Sequence, residues 1–196
     1  MSDPATLAFY EREAPRYTAS TTQAHSRHLD PFLDRLAPGA RILELGCGAG
    51  RDAARMIERG FDVAPTDGSA AMAAKAQERI GRSVRVMMFA ELEAEDAFDA
   101  VWAHASLLHL SLDELRNALS RIVRALRPGG WHFANYKLGD GEGRDRFGRY
   151  YSFPREAELR AVYSQAGSWK EIAAERYAGS GFDGMAAEWL ALTMRA

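Results

Sequence analysis

The run Glu44-Leu45-Gly46-Cys47-Gly48-Ala49-Gly50 limits this chain more than any other feature. It follows a short apolar stretch, Arg41-Ile42-Leu43-Glu44-Leu45, and precedes Arg51 to Glu58, which reads as a helix closed by Gly60. A strand, a glycine turn and a helix in that order let the backbone reverse sharply and approach a ligand closely. The helix start adds free N–H groups and a partial positive charge, suited to a carboxylate or a phosphate. The bland alternative is a tight turn with no ligand. The spacing is G-x-G-x-G rather than the G-x-G-x-x-G of dinucleotide sites, and no G-x-x-x-x-G-K-[ST] run is present. Both points count against nicotinamide and P-loop nucleotide sites.

Residues 1–37 read as a helical cover, with a break expected around Pro15 and the Thr18 to Thr22 cluster. Leu29, Phe32, Leu33 and Leu36 keep helical spacing until Pro38-Gly39. Phe61 to Thr66 predicts a second strand, and Ser69 can cap a helix from Ala70 to Arg79. Val84 to Phe89 and Phe98 to Ala103 predict two more strands. Ser111-Leu112-Asp113-Glu114 is a capping-box pattern opening a helix to Leu126. Arg127-Pro128-Gly129-Gly130 ends that helix, and Trp131 to Lys137 is a fifth strand. Residues 138–150 are rich in Gly, Asp and Arg and read as a loop. A helix from Pro154 to Ala166 precedes two terminal strands, around Glu171 to Tyr177 and Glu188 to Met194. Alternating strands and helices predict a mostly parallel sheet covered on both faces, with an antiparallel hairpin at one edge.

The 196 residues, 47% of them apolar, fit one domain over 1–196. A formal net charge of −2 gives no bulk field toward nucleic acid or anionic membrane. No stretch reaches the length of a membrane span, and the acids near the N-terminus argue against a signal peptide. Cys47 is the single cysteine, so an intrachain disulfide is excluded and a cytoplasmic location is expected.

A second acid stands in Thr66-Asp67-Gly68-Ser69, where the second strand ends. A carboxylate there can accept hydrogen bonds from ribose hydroxyls, or can simply cap the following helix.

Together these motifs resemble the class I S-adenosylmethionine (SAM)-dependent methyltransferases, whose first motif is an acid followed by x-G-x-G-x-G. Phe98 to Ala103 is similar to the family's fourth strand, and Leu126-Arg127-Pro128-Gly129-Gly130 to its pre-strand turn. More narrowly, GCGAGRDAARMIERGFDVAPTDGS, FDAVWAHASLLHL and YKLGDGEGRDRFGRYYS resemble a group of small bacterial methyltransferases labelled tellurite-resistance-like. The resemblance implies an α/β, Rossmann-like, mostly parallel seven-stranded sheet with helices on both faces and an antiparallel C-terminal hairpin. It implies S-adenosyl-L-methionine as cofactor and S-adenosyl-L-homocysteine as product. Gly46, Cys47 and Gly48 would lie along the methionine and ribose, with Glu44 supporting the loop from below. Asp67 would hold the ribose, and Gly68 and Ser69 would face the adenine. Many relatives carry an acid after the third strand; here Phe89 and Ala90 would hold the adenine through backbone groups. Tyr10, Arg16 or Tyr17 would cover the cofactor. Arg51 would reach its carboxylate or pair with Glu44 or Asp52.

Methyl transfer needs alignment in a dry pocket, and a base only where the acceptor must lose a proton. Residues Trp102 to His109, Ala103 among them, are expected to face the methyl group. His104 is the candidate catalytic base or orienting group; the alternative is a histidine bonded to backbone. Trp102 offers an aromatic face to a cation or packs in the core. His109 contacts substrate or orients a loop. The 138–150 segment is a lid over the acceptor, with Tyr136, Arg149 and Tyr150 contacting it, or a solvated charge-balanced loop. His104, His109 and His132 show no metal-ligand spacing, so no metal is expected.

The sequence therefore points to a methyltransferase with a small-molecule acceptor, no nucleic-acid partner and no membrane partner, its oligomeric state left open. The resemblance alone suggests a thiol or metalloid acceptor; oxygen and nitrogen acceptors are equally compatible with the residues. A non-catalytic SAM-binding sensor or partner protein and a protein-methylating enzyme are the alternatives.

Overall fold

A computed structural model describes residues 3–20 and 24–196. Nine strands and six helices follow in the order α1(Pro4–Ser20), α2(Leu29–Leu33), β1(Arg41–Leu45), α3(Arg51–Glu58), β2(Asp62–Asp67), α4(Ala70–Ile80), β3(Arg85–Val86), β4(Phe98–Ala103), α5(Leu112–Ala125), β5(Leu126–Lys137), β6(Glu142–Arg144), β7(Tyr150–Ser152), α6(Glu156–Ala166), β8(Lys170–Ser180) and β9(Ala186–Arg195) among those residues. Seven strands form one sheet in the order β3-β2-β1-β4-β5-β9-β8. All pairs from β3 to β5 are parallel, and β9 is antiparallel to both β5 and β8. This is the expected sheet.

Strand periodicity divides the core in two. Leu43, Leu45, Val101 and Ala103 face the side covered by α5 and α6. Ile42, Ala100, Trp102 and Phe133 face the other side, against Leu29, Phe32, Leu33 and Met56 of α2 and α3. Glu44, two residues beyond Ile42, falls on that second side at the carboxyl end of β1.

The helix caps follow the sequence closely. Ser69 Oγ accepts the Met72 amide at 3.1 Å, and Ser111 and Glu114 complete the capping box of α5. The first amides of α4 also reach across to α1, where Glu11 accepts from Ala70 and Ala71. That contact, with Phe9, Tyr10 and Ala14 packed near Met72, seats α1 on α4. Pro15 was expected to break α1, yet the helix continues through it. Proline removes one intrahelical donor, while Ala14 before it and Tyr17 after it pack into the cluster around Met72. Part of the expected break, Thr21 and Thr22, lies outside the described residues.

Two other expectations change. The third strand shrinks to Arg85–Val86, because the chain turns at Met88 into a short 3-10 turn, Phe89–Glu91. The 138–150 loop contains half of a hairpin instead, with Gly143 paired to Tyr151 and Arg144 to Tyr150. Arg144 is tied to Asp3 at 2.7 Å, and the Tyr150 amide donates to Thr6 Oγ1 at 2.8 Å. These contacts tie the segment to α1 and to Asp3 just before it. Among the described residues no helix is long and apolar enough to cross a membrane.

Candidate cofactor and acceptor cleft

The carboxyl ends of β1, β2, β4 and β5 open into a cleft of about 780 Å³. Ligands of open α/β sheets sit at this place, outside the strand ends where the strand order reverses. Its floor is the glycine loop. Gly46 has φ +74°, and a Cβ there would lie 2.5 Å from the Ser106 Cβ. The Gly46 and Cys47 amides donate to the Thr66 carbonyl at 2.9 and 2.8 Å, which fixes the loop against β2. The Gly48 amide donates to Asp67 Oδ2 and the Ser69 amide to Asp67 Oδ1, both at 2.9 Å. Asp67 thus holds the loop and lines the cleft at once, and burial pushes its carboxyl up to about 6.

Glu44 is buried in the same floor, and one of its carboxyl oxygens has no hydrogen-bond partner among the described residues. Burial, reinforced by Asp52 and Asp67, pushes its pKa well above the ordinary carboxylate range. Burial likewise pushes the Cys47 thiol up, which keeps it from acting as a nucleophile. Tyr17, Arg51, Gly68 and Phe89 complete this end of the cleft.

The other end is made of long side chains. His104 follows β4 and faces the cleft, its ring nearly parallel to Trp102 and Phe133. Asn135 and Lys137 reach in from β5, Tyr177 from β8 and Trp189 from β9. Lys137 pairs with Trp189, and Trp189 with Tyr177, along three neighbouring strands. The Lys137 ammonium sits 4.4 Å from the Tyr151 ring centre and 3.7 Å from Asp183 Oδ2, and burial lowers its pKa.

Arg149 closes this end from the hairpin side. It is 1% exposed, and its Nε and Nη2 donate to Asp145 Oδ2 at 2.9 and 2.7 Å. Phe9, Tyr10, Phe147, Tyr151 and Phe182 surround the guanidinium within 6 Å. Arg149 Nη1 donates to the Tyr10 hydroxyl at 3.0 Å, and that hydroxyl lies 3.1 Å from His109 Nε2. His109 Nδ1 is 2.6 Å from the Tyr150 carbonyl, so Nδ1 carries the proton. Burial pushes His109 down to about 3, leaving it neutral.

The structure therefore brings Tyr17, Glu44, Gly46, Cys47, Gly48, Arg51, Asp67, Gly68, Phe89, His104, His109 and Arg149 to one cleft. Six expected residues lie elsewhere. Ser69 is buried as the cap of α4. Ala90 is exposed on the 3-10 turn. Ala103 points to the α5 side of the sheet, as alternation along β4 requires. Trp102 is fully buried, stacked on Phe133 at 4.1 Å, with its Nε1–H donated to Asp52. Tyr136 faces the α6 side, its hydroxyl 3.0 Å from that of Tyr163, which in turn meets His132. Tyr150 turns its hydroxyl to Glu142. Residues 24–28 and 179–182 also wall the cleft, and they carry no motif that would mark them in the sequence. Among the described residues, no group of three or more His, Cys, Asp or Glu side chains is placed to hold a metal.

Comparison with known proteins fits this geometry. Residues 42–130 match a family model described as a methyltransferase domain. The fold is the Rossmann-like one also seen in solved SAM-dependent methyltransferases. The chain superposes over its full length on 91% of the 1,6-didemethyltoxoflavin-N1-methyltransferase of Burkholderia thailandensis, with TM-score 0.77 and 22% identity. It is 32% identical over 133 residues to malonyl-[acyl-carrier protein] O-methyltransferase of Salmonella typhimurium, which covers 64% of this chain and 51% of that protein. It is 34% identical over 109 residues to an uncharacterized methyltransferase of Mycobacterium tuberculosis, covering 53% of this chain and 54% of that one. The chain thus spans about half the length of the relatives it matches.

Proposed function

We propose that this chain is a methyltransferase that binds SAM on its glycine floor and methylates a small molecule. The observation that carries the reading is the joint made by Asp67, which fixes the Gly48 amide while lining the cleft. The residues present fit the group. Gly46, Cys47 and Gly48 offer a backbone surface without side-chain obstruction for the methionine and ribose. The Asp67 carboxylate keeps lone pairs for a ribose diol. Phe89, Gly68 and Tyr17 would flank the adenine. Arg51 lies at the helix start, where a carboxylate is favoured. The Glu44 oxygen that has no partner among the described residues belongs to this same floor. Bound there, SAM would supply an electrophilic methyl group on a sulfonium.

The protein's own part is alignment and exclusion of water. Tyr10 and Tyr17 of α1, residues 24–28 and the 179–182 turn wall the cleft on several sides, which favours a small acceptor over a protein surface. The acceptor would lie among His104, Ser106, Asn135 and Tyr177. Transfer of labelled methyl from SAM to a panel of small hydroxyl, amine, thiol and carboxylate compounds, with a protein panel beside it, tests this. Label in small molecules is expected. Label in protein alone contradicts the small-acceptor reading, and SAM binding without any transfer supports the sensor alternative.

A further inference from the structure

We propose that His104 is the proton acceptor of the transfer, with Asp52 and Asn135 as its positioning residues. The acceptor is then a hydroxyl or N–H nucleophile rather than an ionised thiol or a metalloid oxyanion. This rests on the SAM reading of the glycine floor.

The two fully buried histidines, His109 and His132, make the contrast with the partly exposed His104. His109 and His132 each hold a backbone carbonyl with Nδ1 and a tyrosine hydroxyl with Nε2, so both nitrogens are committed. Among the described residues His104 has no such carbonyl. Its Nδ1 instead stands 3.8 Å from Asp52 Oδ2, and the ring lines the cleft. Asp52 is buried and separately fixed: the Trp102 Nε1–H donates to Oδ2 at 2.9 Å and the Ser26 amide to Oδ1 at 2.8 Å. With Nδ1 turned toward that carboxylate, Nε2 is the nitrogen left for the cleft.

The backbone next to His104 is strained. Ala105 has φ +52°, a conformation costly for a residue with a Cβ, and such strain persists only where surroundings impose it. Here Asn135 imposes it, accepting the Ala105 amide on Oδ1 at 2.6 Å while its Nδ2 donates to the Tyr177 hydroxyl at 2.9 Å. The pair sets the turn that follows His104.

The charges facing His104 are Asp52 and Arg51 from α3, and it also faces His28 from the segment before α2. Burial and Arg51 favour the neutral imidazole, so a proton can be taken. Asp52 stabilises the imidazolium once it forms. As the acceptor atom bonds to the methyl carbon, the donor S–C bond breaks with its electron pair on sulfur. The acceptor's proton passes to His104 Nε2 and then to solvent. An ionised thiol or an oxyanion has no proton to give and needs no such residue.

Nitrogen NMR of histidine-labelled protein, free of cofactor, tests the base directly. Neutral His104 is expected with its proton on Nδ1 and Nε2 bare, titrating below the ordinary histidine value. Asp52→Asn is expected to lower that midpoint further, because the carboxylate 3.8 Å from Nδ1 opposes the effect of burial. If that variant does not fold, the wild-type tautomer decides. His104→Gln is expected to slow turnover of a hydroxyl or amine acceptor by about 100-fold or more, and far less for a thiol offered where it is ionised. An Nε2–H tautomer, a midpoint unmoved in folded Asp52→Asn, or full hydroxyl and amine turnover in His104→Gln would overturn the proposal. S-adenosylhomocysteine titrated into the same samples separates the two readings. Failure to bind it is a failure of the cofactor reading, whereas the wrong tautomer with it bound is a failure of this one.

Discussion

The two ends of the cleft are built from different materials. The floor beside β1 and β2 is mostly backbone: three glycines, amides tied to Thr66 and Asp67, and the buried acid Glu44. The end beside β4, β5, β8 and β9 is side chain: a buried lysine, a caged arginine, stacked aromatics, and His104 and His109. A backbone surface can present donors to a shared ligand with few changes in sequence. A side-chain surface can be altered one residue at a time, which suits the part that must recognise an individual acceptor. If SAM binds as proposed, the backbone end is the generic half of the cleft and the side-chain end the particular one.

The sharpest way to break this contrast is Arg149→Met. It leaves the buried Asp145 carboxylate without its partner and removes the centre of the aromatic cage, at a cost of about 3–5 kcal/mol of stability. Denaturant unfolding should show that loss, while the folded fraction still binds SAM with near-normal affinity. Equal loss of SAM affinity in the folded fraction would mean that the two ends are not separate.

Asp67→Ala should show the reverse pattern. SAM affinity should fall by about 1–3 kcal/mol, the range for a lost hydrogen bond to a charged group together with the looser loop. In the wild-type protein, the raised pKa implies that affinity declines as pH falls through about 6, because protonation removes the acceptor charge. Calorimetry at two pH values checks both statements, and a flat profile would remove the ribose role.

The smallest expected effect is that of Tyr177→Phe. It deletes the hydroxyl that accepts from Asn135, worth about 0.5–1.5 kcal/mol, and should appear in acceptor turnover with S-adenosylhomocysteine binding unchanged. A change in cofactor affinity instead would place Tyr177 with the other end of the cleft.

The same contrast explains what the sequence disclosed. Backbone sites need glycines and an acid at fixed spacing, so Gly46, Gly48 and Asp67 are readable in one short stretch. Helix caps are equally local, which is why Ser69 and Ser111 start their helices where expected. The acceptor end draws on segments more than a hundred residues apart, and no local pattern announces their meeting. Period-two alternation along β5 was available, and it separates Asn135 and Lys137 on the cleft side from Tyr136 on the other. Alternation along β4 likewise separates His104 from Ala103. The hairpin at 142–152 escaped because its glycines and charges also describe a loop; the tie from Arg144 to Asp3 that anchors it spans 141 residues.

Calorimetric titration of the purified protein with SAM, with NAD as the control ligand, tests the central claim most directly. A SAM site on the glycine floor predicts saturable one-to-one binding of SAM, weakened in Gly48→Val, and none of NAD. Folded protein that binds NAD but not SAM, or neither, would contradict it.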